Sequence, residues 1–176
     1  MKTRLAVFAT VLAMAFAGFG NTVEARQPLF GDMDLQFNLA WPGPNETIPD
    51  WVGTITIDED EYGMAFFATG SGKPFAADPS SSVHFFEETW VIYDELDFTF
   101  NPDGTLATFV PGDVVLSGYD AGITNMKNSK YHMNGYVDVA EGDFADWMGR
   151  SVHMMGLIEW YPFEAPQFAP GVLRIN

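Results

Sequence analysis

From residue 32 onward, apolar and polar residues alternate with a period of two, and this pattern restricts the fold more than any other feature of the chain. In DMDLQFNLA (32–40), Met33, Leu35, Phe37 and Leu39 share one face, while Asp32, Asp34, Gln36 and Asn38 share the other. Side chains repeat every two residues on a strand and about every 3.6 on a helix, so this pattern separates its faces only as a strand. WVGTITID does the same, with Trp51, Gly53, Ile55 and Ile57 set against Val52, Thr54, Thr56 and Asp58. MAFFAT, VHFFEETWVIY, LDFTF, LATFV, DVVLSGY, KYHMNGYVDVA, RSVHMMGLIEWY and GVLRI bring the candidate strands to ten.

Turn chemistry separates them. DEDEYG, NPDGT and PGD lie between successive runs, the composition of meander hairpins. EGDFADWMG alone reads as a helical turn, kept short by its two glycines. WPGPNETIPD and TGSGKPFAADPSSS read as long loops at a rim. Sequential hairpins, and the need to remove exposed strand edges, favour an all-β fold with a single antiparallel barrel of eight to ten strands over a sandwich. The 16 Phe, 5 Trp and 6 Tyr supply either an aromatic core or the lining of a cavity.

The first 25 residues read as a secretory signal: Lys2 and Arg4, the apolar run LAVFATVLAMAFA (5–17), then small-residue cleavage sites ending at Ala17 or Ala25. Residues 26–176 then form one domain, secreted or periplasmic and without stable membrane insertion, since the apolar run is short for a span. With no cysteine, disulfides and thiolate metal sites are excluded and packing must stabilise the fold. A net charge of −16 makes nucleic acid a poor partner.

The DWVGTITI strand and the lone Arg174 on the last strand resemble the lipocalin and wider calycin arrangement, in which a Trp on the first barrel strand is covered by an Arg near the C-terminus. Here Trp51 precedes its glycine instead of following one. HMNGYVDVAEG and HMMGLIEW look similar to allene oxide cyclase and dirigent-type barrels. The resemblance implies a barrel with a pocket for a small hydrophobic molecule and assigns no catalytic residue.

Two of the three histidines, His132 and His153, sit in a repeated His-Met-x-Gly motif. Tyr131, Met133, Gly135, Val137 and Val139 form the apolar face of one strand, and Val152, Met154, Gly156, Ile158 and Trp160 that of the next. Both histidines fall on the more polar faces. A hairpin centred within AEGDFADWMGR would set His132 opposite Glu159, His153 opposite Asp138 and Gly135 opposite Gly156, with the two histidines roughly 20 Å apart. Exposed, such pairs only set the register. Facing inward, they would be candidate catalytic acid–base pairs for an isomerase or cyclase, with Tyr136 and Tyr161 as proton donors. Phe86, Trp90, Tyr136 and Tyr161 are the candidate ligand-binding residues.

His84 and Glu88 share a face with Phe86 and Trp90, but the spacing matches no metal motif, and neither a metal nor a cofactor is expected. DEDE lacks the ligand spacing of a calcium loop. Three classes of function remain: a small-molecule-binding barrel, an interaction module of the cell envelope, and a barrel enzyme. The sequence leaves the oligomeric state open.

Overall fold

The computed structural model describes residues 27–69, 83–125, 127–158 and 166–176; the signal-like segment, Glu159 and Tyr161 lie outside them. Ten strands form: β1 (Leu29–Phe37), β2 (Trp51–Ile57), β3 (Asp60–Ala68), β4 (Val83–Tyr93), β5 (Leu96–Phe100), β6 (Leu106–Pro111), β7 (Val114–Asn125), β8 (Lys130–Ala140), β9 (Ser151–Leu157) and β10 (Gly171–Ile175). Eight close into an antiparallel barrel in the order β1-β2-β3-β4-β7-β8-β9-β10, with β10 returning to β1. The barrel is a meander, interrupted once by the separate β5–β6 hairpin. At the level of fold this agrees with the calycin-like expectation. Among the described residues no helix is long and apolar enough to cross a membrane.

The alternation decides which face points in. Leu29, Met33 and Leu35 of β1, Ile55 and Ile57 of β2, and Leu173 and Ile175 of β10 are buried, while Phe30, Asp32, Asp34 and Arg174 between them are exposed. The β2–β3 hairpin closes Ile57 onto Asp60 through a two-residue loop. Asp58 and Glu59 both adopt positive φ, 50° and 76°. That is the mirror-image turn whose twist suits a tight hairpin, so DEDE forms a hairpin tip.

One barrel end is plugged. EGDFADWMG forms the expected short turn, a 3-10 helix at Gly142–Trp147 whose Phe144 and Trp147 are buried. Tyr62 meets Phe144 edge-on at 5.6 Å. At the opposite end β2, β4, β8 and β10 begin. Trp51 is buried there, edge-on to Phe37 at 5.0 Å. The lipocalin-like Trp–Arg contact does not form, because Arg174 points outward and lies over Phe30, 5.7 Å from its ring centre.

A second apolar layer lies outside the wall. On β2, β3 and β4 the outward residues Val52, Ala65, Phe67, Val91 and Tyr93 are also buried, packed under Leu96, Phe98, Phe100, Leu106 and Phe109. Strands covered on both faces lose the polar alternation, which is why MAFFA reads as a continuous apolar run.

Candidate functional site

The histidine hairpin forms, with its apolar faces turned inward as the alternation requires. Its register is not the expected one. His132 opposes Met155 rather than Glu159, His153 opposes Asn134 rather than Asp138, and Gly135 opposes Val152 rather than Gly156. Both registers bury the same faces, so the alternation cannot choose between them. The plug decides. β8 outlasts its pairing with β9: the Val137 N–H bonds to the Arg150 carbonyl, and the Glu141 N–H turns to the Val115 carbonyl on the β7 side. This places Phe144 and Trp147 under the barrel and leaves Asp138 exposed in β8, beyond the last β9 pair.

The observed register brings the two histidines together. Their rings stack at 6.2 Å and 28° on the outer wall, and His153 Nδ1 donates to Asn134 Oδ1 at 2.8 Å. His132 is exposed and His153 half-buried. Both stand on the outer wall, and the direct His153–Asp138 opposition that the isomerase or cyclase reading used does not form; Glu159 lies outside the described residues. Tyr136 is also outward, 48 % exposed. Glu88 points inward, on the opposite side of the wall from these histidines, so the three cannot share a metal. Among the described residues no group of three His, Asp or Glu side chains is placed to hold a metal ion.

Above and beside these rings the outer wall is apolar. Phe85, Ile123, His132, Met155 and Val172 stand directly opposite one another across β4, β7, β8, β9 and β10. Phe85 is 67 % exposed, and Ile123, Met155 and Val172 are also exposed. A groove of about 430 Å³ runs along this row, walled by Phe85, Phe86, Ala121 and Ile123 and edged by Glu87, His132 and Asn134. Of the expected ligand-binding residues, Phe86 borders it, although its side chain belongs to the barrel core. Trp90 does not, being fully buried in the barrel.

The interior holds what the sequence reading missed. Glu88 of β4 directly opposes Asp120 of β7, both inward and buried, and Asp50 joins them from the turn that opens β2. Asp50, Glu88 and Asp120 are three of the six buried polar residues of the described chain; the others are Asn38, Thr124 and Gln167, and none of the six is basic. Burial pushes the Asp50 carboxyl up to about 7, with the N–H groups of Trp51 and Ala68 pulling partly against it. Burial also holds Glu88 well above the usual carboxylate range, reinforced by the charges of Asp50 and Asp120. Asp120 is raised by burial and then by Asp50. Glu88 and Asp50 share a hydrogen bond that favours the proton on Glu88.

Small neighbours make room for the large interior side chains. Trp90 opposes Gly118, where an added Cβ would stand 2.6 Å from the indole ring. Tyr131 opposes Gly156, where a Cβ would stand 2.6 Å from the phenol oxygen. The Tyr131 hydroxyl, Trp90 Nε1, Gln167 Nε2, Asp50 Oδ1 and both Asp120 carboxyl oxygens are buried without a hydrogen-bond partner. The one sequence signal was Glu88 on the same face as Phe86 and Trp90. Nothing in the alternation marks Asp120 as inward with Glu88 opposite, because Asp120 lies just past the run DVVLSGY (113–119).

No known protein family, curated protein or solved structure matches the chain.

Proposed function

We propose that this is an exported β-barrel that binds a small hydrophobic molecule. The reading rests on the groove beside Phe85, Phe86 and Ile123, whose volume of about 430 Å³ falls in the range of small-ligand sites. Its apolar wall takes the body of the ligand, and His132 and Asn134 offer hydrogen bonds at one edge. N-phenyl-1-naphthylamine, a neutral probe that brightens on leaving water, should bind saturably. Phe85→Ser should weaken that binding by roughly tenfold, about 1.4 kcal/mol of lost apolar contact. A linear, unsaturable response in the wild type, or an unchanged affinity in the variant, would defeat the reading.

A second reading is favoured by one observation. The exposed row continues past the groove to Met155 and Val172, further than a small ligand needs, which suits an interaction module of the envelope. Under that reading the protein self-associates or captures a protein through this face. Met155→Lys would then abolish association in sedimentation while leaving the naphthylamine affinity intact.

A further inference from the structure

The barrel interior and the outer groove are different places with different chemistry. The interior beside the plug is apolar, but the buried polar side chains gather towards the opposite end. Asp50 precedes β2, Gln167 flanks the end of β1 through the bond from the Phe37 N–H to its carbonyl, and Glu88 and Asp120 oppose each other between them along the wall. No basic side chain among the described residues is buried with them. A buried carboxylate without a counter-charge is costly: it must take up a proton or find a cation.

Protonation settles only part of the account. Glu88 bonds to Asp50, yet both Asp120 oxygens and Asp50 Oδ1 still lack a partner. Outside the acids, Trp90 Nε1, the Tyr131 hydroxyl and Gln167 Nε2 are buried and equally unpartnered. Native interiors leave few such groups, and Trp90 stands one inward position from Glu88 on β4, beside the carboxyl pair, where a ligand could satisfy both. The occupant must carry donors or positive charge for the carboxyls and an acceptor for the indole and amide N–H groups. It must also tolerate aromatic walls, which suit an organic cation better than a hydrated metal ion. The acids are not arranged as a metal cage.

We infer that the barrel interior, towards the end opposite the plug, binds a small protonated amine, held by Asp50, Glu88 and Asp120 against the Trp90 ring. The titratable groups facing it are those three carboxyls and, from β8, Tyr131, whose hydroxyl is raised by burial and by Glu88 and Asp120. Burial raises all three carboxyls, and a cation seated among them favours their ionised form, so seating it displaces protons. Binding is therefore linked to proton release and strengthens as pH rises.

The experiment is calorimetry on the full protein with ethanolamine, butylammonium and the neutral isostere butan-1-ol, at roughly physiological salt to screen the acidic surface. The amines should bind at least about tenfold more tightly than the alcohol, and tenfold more weakly at about pH 5 than at about pH 8. Repeating the titration in buffers of different ionisation enthalpy should show on the order of one proton released per cation near neutral pH. Asp120→Asn and Glu88→Gln keep the shape and remove the charge, and each should abolish both the preference and the proton release. Equal binding of amine and alcohol, cation binding without proton release, or amine affinity unchanged in both variants would overturn the inference. So would no binding at all. None of these outcomes bears on the naphthylamine groove, whose test is separate.

Discussion

At the scale of single residues, the buried acids make the strongest statement. Asp50 holds its proton to about pH 7 in the folded protein and to near 4 when unfolded. Between those values the folded state binds more protons than the unfolded one, so stability must fall as pH rises. Its contribution is fully present below the unfolded value and lost once pH passes the folded one. Urea midpoints should therefore drop between about pH 4 and pH 7, and Asp50→Asn should flatten the decline. A wild-type midpoint that climbs over that interval would contradict the burial argument. The histidines are the counter-case. Standing on the outer wall, His132→Ala and His153→Ala should each change stability by less than about 1 kcal/mol in the same titration.

At the scale of elements, the turns and the plug carry the geometry. Asp58 and Glu59 both occupy left-handed backbone, a conformation that costs a non-glycine residue roughly 1 kcal/mol. Glu59→Gly creates the Asp-Gly pair such turns favour and should raise stability by about 0.5 to 1 kcal/mol in thermal or urea unfolding; a loss would show that the Glu59 side chain makes a contact worth more than the strain. The 3-10 plug shows how one element sets another's register. A four-residue slip of β9 along β8 leaves every apolar residue inward, so the hairpin alone admits both arrangements. Burying Phe144 and Trp147 at the barrel's end selects the one that stacks His132 on His153.

At the scale of the whole molecule, two apolar layers share one wall. Inside β2, β3 and β4 lies the barrel core; outside them the β5–β6 hairpin seats Phe109 edge-on to Phe67 and Tyr93, each at 6.3 Å. Phe109→Ala should therefore cost about 2 kcal/mol and increase binding of a hydrophobic dye to the uncovered wall, and an unchanged melting temperature would mean the hairpin is only a surface appendage. The chain's own pattern determined that ten strands form, that the NPDGT and DEDEYG turns join neighbours, that EGDFADWMG makes a short helical turn, and that both histidines leave the core. These follow from local periodicity and turn stereochemistry, which act over a few residues. What only the tertiary structure decided is which strand faces are buried twice, which register the histidine hairpin adopts, and that Asp50, Glu88 and Asp120 meet inside. An acid in an alternating strand looks the same whether its face meets water or the barrel interior. Closure joins residues 38 and 70 positions apart in the chain, and only that closure turns three scattered carboxyls into one site.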